Sequence, residues 1–177
     1  MDKVTLQWIE GCRRRERNAQ LHLYRQFARF LYAACLRITG NSAEAEEAMQ
    51  DSFLKIFSRI DQYHTEQSFE AWIHRIAVHT AIDYVRRQQT PTEELSPNMI
   101  VTEEEEASDE EEIAASVEQI KEATLRLPTG FRVVLSLYLF EGYDMDEIAS
   151  ILDIKPASVR SQYLRAKRKL VEIIHAN

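Results

Sequence analysis

The chain has 177 residues, 45% of them hydrophobic, and a formal net charge of −7 from 22 basic and 29 acidic side chains. This length suits one ordinary domain or two small ones, and the apolar content is sufficient for a buried core. Only 4 Gly and 4 Pro are present and no β-branched run alternates with period two, so we predict an all-α fold. No stretch approaches about eighteen apolar residues and no signal-peptide pattern is visible, which predicts a cytoplasmic protein with no membrane insertion of its own.

The first predicted domain, residues 1–87, begins with a short amphipathic segment that ends in a cluster of arginines at residues 13–17. We interpret this cluster as a solvated face, with a nucleic-acid contact as the alternative. An apolar stripe then predicts a helix from Ala19 to Thr39. Gly40 follows it, and glycine is the residue that most often ends a helix.

Two further long helices complete this domain. Asn41 is placed to cap a helix that reaches about Ile60, and Ser68 to cap a helix from Phe69 to about Gln88. The segment between them, residues 61–67, is polar and is predicted to be a loop. Three helices of this length can bury a common core, which predicts an independent domain.

The acidic residues are concentrated between the two predicted domains. Residues 88–112 carry 10 acids and no base, whereas residues 1–87 carry 13 basic and 11 acidic side chains, and residues 113–177 carry 9 and 8. Blocks of like charge repel one another and bury little apolar surface, so residues 88–112 are predicted to form a flexible linker. Ser108 with Glu111 is a capping signature that predicts a helical end to this segment.

The second domain, residues 113–177, is predicted to hold two helices followed by a helix-turn-helix. Asp144 and Glu147 form a capping box for the first helix of this motif, residues 153–155 are the turn, and Pro156 lies in the first turn of the second helix. From residue 155 to residue 169 there are six basic side chains and no acid. This pattern is typical of a helix that enters the major groove of DNA; a helical hairpin with a solvated basic face is the alternative.

No residues indicate catalysis. The sequence contains no glycine-rich phosphate loop and no nucleophile–base pair, and Cys12 and Cys35 have neither the CxxC nor the histidine spacing of a zinc site. We therefore expect a protein that is not an enzyme, binds no cofactor or metal, and keeps both cysteines as reduced structural thiols.

Three segments, in order, resemble the extracytoplasmic-function (ECF) sigma factors of bacterial RNA polymerase. AEEAMQDSF (Ala45–Phe53) is similar to the segment of that family that binds the polymerase clamp helices, and FEAWIHRIAVHTAIDYVRR (Phe69–Arg87) resembles its helix that reads and opens the −10 element. LPTGFRVVLSLYLFEGYDMDEIASIL and SVRSQYLRAKRKL resemble its −35-binding module. The chain differs from the usual pattern at four positions, where the family commonly has Asp, Asn, Gly and Arg: Glu47, His79, Asp153 and Gln162.

The resemblance implies a division of labour among the residues. The partners that it implies are core RNA polymerase, promoter DNA and an anti-sigma factor, and it implies that the linker follows the path later taken by RNA. Implied contacts to the −35 element come from Lys155, Arg160, Ser161, Gln162, Leu164, Arg165 and Arg168. Implied contacts to the −10 element come from Trp72, Arg75, His79, Arg86 and Arg87. Implied contacts to the polymerase come from Glu47, Gln50 and Phe53.

Several alternatives remain open at this point. Phe53 and Trp72 are also suited to a hydrophobic core, His79 to a plain surface position, and the acidic linker to a solubilising spacer. For the whole chain, a free-standing regulator with the same helix-turn-helix and a helical adaptor that ignores DNA are the competing hypotheses. A regulator should bind an operator by itself, whereas a sigma factor should need the polymerase.

Overall fold

The computed structural model describes residues 3–64, 66, 68–88 and 116–176. Within these residues the secondary structure is entirely helical, which confirms the all-α prediction. The eight α-helices are α1 (Lys3–Arg13), α2 (Arg17–Thr39), α3 (Ser42–Ser58), α4 (Phe69–Gln88), α5 (Val117–Leu125), α6 (Thr129–Leu139), α7 (Met145–Leu152) and α8 (Pro156–His175). A short 3₁₀ turn, Ile60–Gln62, lies between α3 and α4.

The chain divides into two compact units, Met1–Arg86 and Arg87–Asn177. Apart from Gln88, the predicted linker lies outside the described residues, and so does the predicted cap at Ser108. A different capping box begins α5 instead: the Ser116 hydroxyl accepts a hydrogen bond from the Gln119 N–H, and the Gln119 side chain accepts one from the Ser116 N–H.

The core of the first unit is built on the face of α2 that contacts α1 and α3. Leu23, Phe27 and Leu31 recur every four residues there, and each is at most 6% exposed. Three other apolar residues of α2 are covered only in part, since Leu21, Tyr24 and Phe30 are 37–43% exposed. Because each residue turns a helix by about 100°, these three point toward the flanks of the core face, where a neighbouring helix covers them incompletely.

Local signals end α2 and begin α3 as predicted. Gly40 has a φ of +72° and its N–H donates to the Leu36 carbonyl, which is the left-handed ending that glycine adopts at least cost. The Asn41 side chain then accepts hydrogen bonds from the N–H groups of Ala43 and Glu44. These contacts satisfy backbone groups that a helix terminus leaves without partners.

Glycine at position 11 allows α1 to approach α2 closely. A Cβ added there would lie 2.6 Å from the Cβ of Ala19, far inside van der Waals contact. Ala19 is itself 1% exposed. The junction of the two helices therefore depends on two of the smallest side chains.

The second unit packs α5 and α6 against α8. Its buried cluster consists of Ala123, Leu127, Leu135, Ala166 and Leu170. Two apolar residues of this unit are exposed, Val117 at 64% and Leu139 at 46%, and each lies at the end of its helix. Arg132 was not predicted to be buried, yet it is 7% exposed and its Nη1 donates to the Leu127 carbonyl at 2.9 Å.

The helix-turn-helix forms as predicted from α7 and α8. The Asp144–Glu147 capping box is present, Pro156 lies in the first turn of α8, and Ile148, Ala149 and Leu152 are buried. The turn begins with Asp153, whose φ of +56° and ψ of +46° are left-handed. An L-residue is strained in this conformation, although Asp tolerates it better than most.

We expect Asp153→Gly to stabilise the second unit by about 0.5–1 kcal/mol, because glycine adopts a left-handed φ without a Cβ penalty. Asp153→Val should destabilise it by about 1–2 kcal/mol, since a β-branched side chain is poorly tolerated at positive φ. Urea unfolding of both variants and of the unmodified chain checks this. Equal midpoints for the two variants would show that the turn does not impose the left-handed conformation in solution.

Candidate nucleic-acid interface

The predicted −35 residues lie on α8 or, in the case of Lys155, directly before it, and most of them face solvent. Lys155, Arg160 and Arg168 are exposed, and Leu164 is 49% exposed. Ser161, Gln162 and Arg165 are half-buried. Val159, Ala166 and Leu170, on the opposite face, are buried against the rest of the unit. The structure therefore places the predicted contact residues on the outer face of α8 and along its margins.

Side chains of α8 contact α6 and one another. The Tyr163 ring meets the Tyr138 ring of α6 edge-on at 4.8 Å. Near the end of the helix, Lys169 forms an exposed ion pair with Glu172, one turn along the same helix, at 2.7 Å. The side-chain Oε1 of Gln162 is buried and has no hydrogen-bond partner within the described residues. A group of this kind is suited to accept a hydrogen bond from a ligand or from water.

Three of the predicted −10 residues of α4 are arginines that form a basic strip, which lies in the first unit except for Arg87, the first residue of the second unit. Arg75 and His79 are exposed and one helical turn apart, and Arg86 and Arg87 are exposed at the end of the helix. Sequence analysis did not assign Lys55 of α3 to this strip. Its Nζ donates to the Thr80 hydroxyl at 3.0 Å and lies 3.8 Å from the Asp83 carboxylate, so its charge lies beside the strip and is partly offset by Asp83.

Protonation of His79 is opposed by its surroundings. Loss of hydration around the ring is the largest cause, and it lowers the pKa of the His79 imidazole below its ordinary value of 6.5. The Asp83 carboxylate acts against this, while nearby cations lower the pKa further: Arg75, Arg86 and Lys55. His79 is therefore neutral at physiological pH, and one ring nitrogen can donate a hydrogen bond while the other accepts one.

Trp72 belongs to an aromatic cluster at the start of α4. It is half-buried, and its ring lies 5.4 Å from that of Tyr63 and 5.9 Å from that of Phe69. Tyr63 and Phe69 are almost fully buried. Trp72 is therefore packed in part against this cluster and accessible in part, and its contact with the −10 element stays a prediction.

The predicted polymerase residues are not all at the surface. Glu47 and Gln50 are exposed on α3, where Glu47 accepts a hydrogen bond from the Tyr84 hydroxyl of α4 and the Gln50 amide donates to Glu46 at 3.4 Å. Phe53 is only 4% exposed, with the Tyr24 ring 4.8 Å away. This corrects its assignment as a contact, because a ring enclosed between α2 and α3 offers no surface to a partner.

An apolar residue that sequence analysis missed lies on the same face. Leu54 is 68% exposed, the largest exposure of any large hydrophobic side chain among the described residues. It follows Gln50 by one helical turn and Glu47 by two, so the three side chains line one stripe of α3. The spacing of seven residues from Glu47 was the signal that could have identified it.

The two cysteines are structural, as predicted. Both side chains are buried, and neither is joined in a disulfide. Burial, with a smaller effect from Glu16, raises the pKa of the Cys12 thiol to about 11, which keeps it protonated and unreactive.

Within the described part of the chain, no cluster of His, Cys, Asp and Glu side chains is arranged to hold a metal ion. In that same part, no helix combines the length and apolar character needed to cross a membrane.

The two units thus define a helical protein with a basic strip in the first and a helix-turn-helix in the second, and known families match both. Residues 23–90 match the model of sigma-70 region 2, and residues 117–170 match that of sigma-70 region 4. The chain belongs to the sigma-70 family, as one of its ECF sigma factors. Proteins of this family are transcription initiation factors and not enzymes, in agreement with the prediction from sequence.

Individual relatives agree with this assignment. The ECF RNA polymerase sigma factor SigE of Mycolicibacterium smegmatis is 29% identical over 161 residues, covering 84% of this chain and 58% of the relative. SigW of Bacillus subtilis is 28% identical over 151 residues, covering 79% of this chain and 80% of the relative. The chain thus spans little more than half the length of SigE and four-fifths of SigW.

The fold is also similar to that of a solved sigma factor. The chain aligns with RpoE of Bartonella quintana, in its co-crystal structure with the anti-sigma factor NepR, at a TM-score of 0.54. The sequence identity is 18%, and the alignment covers 88% of this chain and 96% of that one. At this identity the likeness supports the fold.

Proposed function

We propose that this protein binds core RNA polymerase in the bacterial cytoplasm and directs it to promoters. The observation that carries the proposal is the presence, in chain order, of region 2 and region 4 units whose outward faces differ in chemistry. The first unit has the Glu47–Gln50–Leu54 stripe on α3 and a basic strip on α4, and the second has the basic outer face of α8.

The −35 element is assigned to α8. Arginine can pair with guanine through two hydrogen bonds, and leucine can contact the methyl group of thymine, so Arg160, Arg165 and Leu164 are suited to base edges. Lys155, Lys167 and Arg168 are exposed and are suited to phosphates, which position a helix without specifying sequence. Ser161 and Gln162 lie between these groups and can bond to either.

The −10 element is assigned to α4 and the loop that precedes it. Opening a promoter requires unpaired bases to be held out of the stack by aromatic and polar groups while cations hold the backbone. The accessible part of Trp72 and the neutral ring of His79 are suited to hold the bases. Arg75, Arg86 and Arg87 are suited to hold the backbone.

The polymerase is assigned to the stripe on α3. Exposed acidic, amide and aliphatic side chains on successive turns are the arrangement that a partner helix can contact together. The proposal also includes an anti-sigma factor as a regulatory partner, supported by the complex of RpoE with NepR. As part of the same proposal, we assign polymerase binding and −10 binding to residues 1–87. We assign −35 binding to residues 113–177.

Co-purification with core polymerase tests the proposal, followed by transcription in vitro from a promoter library. The chain should bind core enzyme and select promoters with defined −35 and −10 sequences. A chain that binds one operator tightly without polymerase would be a free-standing regulator, and one that ignores DNA in both settings would be an adaptor.

We expect His79→Asn to shift the preferred −10 base while transcription from some promoter survives, because both side chains form neutral hydrogen bonds with different geometry. The unmodified chain should show the same −10 preference from pH 7 to pH 8, since the lowered pKa keeps the ring neutral throughout. Transcription from a randomised −10 library measures both. An unchanged preference in the variant would assign His79 a purely structural role.

A further inference from the structure

The loop at the head of α4 is anchored at two points and exposed between them. Ile60 and Tyr63 are 2% and 0% exposed, whereas Asp61, Gln62 and His64 face solvent. The Tyr63 ring packs against Phe69 at 5.1 Å and Trp72 at 5.4 Å. The same buried residue thus fixes the loop and supports the aromatic ring assigned to the −10 element.

The backbone of this anchor is held by a side chain from α1. Arg13 Nη2 donates to the Tyr63 carbonyl at 2.6 Å, and Arg13 Nη1 pairs with Glu10 at 2.6 Å. The guanidinium is therefore fixed from both sides. Its Nε is buried, so part of the group is removed from water, where a charge-assisted hydrogen bond is stronger.

The position of Arg13 is itself well defined. It is the last residue of α1, at the point where Gly11 brings that helix against Ala19 of α2. The turn that follows is closed by backbone hydrogen bonds from Arg15 N–H to the Cys12 carbonyl and from Glu16 N–H to the Gly11 carbonyl, each 2.9 Å. A donor on such a rigid support can set the place of the group it binds.

We propose that Arg13 is a positioning residue for −10 recognition, acting through the Tyr63 carbonyl on the loop and on Trp72. The region 2 match begins at residue 23, so α1 lies outside the matched segment. The inference rests on the proposed function and extends it to a helix to which no −10 contact has been assigned.

The test compares five holoenzymes, made with the unmodified chain, Arg13→Gln, Arg13→Lys, Glu10→Gln and Arg14→Gln. Arg14 is the matched control, because it is exposed and its Nε pairs with the nearby Glu16, at 2.7 Å. The measurement is binding to single-stranded −10 oligonucleotides that carry either the preferred or another base. Binding to core polymerase and to a −35 duplex is measured in parallel.

Arg13→Gln should reduce discrimination between −10 bases about tenfold, since the loop loses a charge-assisted bond, while polymerase and −35 binding change less than about twofold. Arg13→Lys should retain part of the discrimination, because an ammonium can donate one bond to the same carbonyl. Arg14→Gln should behave as the unmodified chain. Glu10→Gln, which removes only the ion pair that orients Arg13, should cause a smaller loss in the same direction.

Wild-type discrimination by Arg13→Gln would overturn the inference. A proportional loss of polymerase binding, −35 binding and −10 binding would also overturn it, since that pattern means general destabilisation. If Arg13→Gln does not fold, the same comparison is made with Glu10→Gln, and unchanged −10 discrimination by that variant overturns the inference. If the unmodified holoenzyme shows no −10 preference, the proposed function itself is contradicted. If the unmodified holoenzyme and the Arg13→Gln holoenzyme show the same −10 preference, only this inference is contradicted.

Discussion

A chain that carries both Glu47→Lys and Gln50→Ala is expected to lose binding to core RNA polymerase by roughly a hundredfold or more, the size of effect seen at the centre of protein interfaces. Both positions are exposed, so the change reverses a charge on the contact face and leaves the apolar core of α3 intact. The Tyr84 hydroxyl donates to Glu47 and holds its carboxylate in place. Affinity for immobilised core enzyme is the measurement.

Two controls separate a lost contact from a lost fold. Glu16→Lys reverses an equally exposed charge at the α1–α2 turn, outside the stripe, and should leave polymerase binding unchanged. Leu54→Asp should weaken polymerase binding without lowering the unfolding temperature, because the side chain is already largely in solvent. Full retention of core enzyme by the double variant would place the polymerase contact elsewhere.

The second large effect is expected in the recognition helix. Arg165→Ala should cost about 1–3 kcal/mol of discrimination at one position of the −35 element, the range for losing a two-bond contact to a base. Lys167→Ala is the matched comparison, since Lys167 is exposed and is assigned to phosphate. It should weaken binding to all sequences alike and reduce the dependence on salt.

Holoenzyme binding to a −35 duplex library at several salt concentrations distinguishes these variants. Arg165→Ala should still bind core polymerase with unchanged affinity, because α8 belongs to the other unit. A uniform loss across all −35 sequences would reassign Arg165 to phosphate. A parallel loss of polymerase binding would indicate misfolding.

Features that depend on neighbouring residues were predictable from sequence. The cap at Asn41, the left-handed Gly40 and the Asp144–Glu147 box each join groups within four residues, so short-range backbone chemistry specifies them. The turn between α7 and α8 was placed in the same way. Apolar spacing then predicted the helices, because a helix with one apolar face must bury it.

The tertiary structure alone decided which apolar side chains are covered. Phe53 and Leu54 are adjacent on α3 and both are hydrophobic, yet one is 4% exposed and the other 68%. The difference arises because α2 lies against only one side of α3 and places Tyr24 over Phe53. Val117 and Leu139 are exposed in the same way although they are apolar, since burial depends on a neighbour that a helical pattern does not identify.

Long-range polar contacts also could not be predicted from the sequence. Sequence analysis placed Arg13 in a solvated arginine cluster, but its guanidinium reaches a carbonyl 50 residues away. The lowered pKa of His79 likewise depends on charges that α3 and α4 bring together. The sequence by itself determined the family, the helices and their caps, which follow from local order along the chain. Only the packing of the helices determined which charges and rings meet, because those distances exist only once the chain has folded.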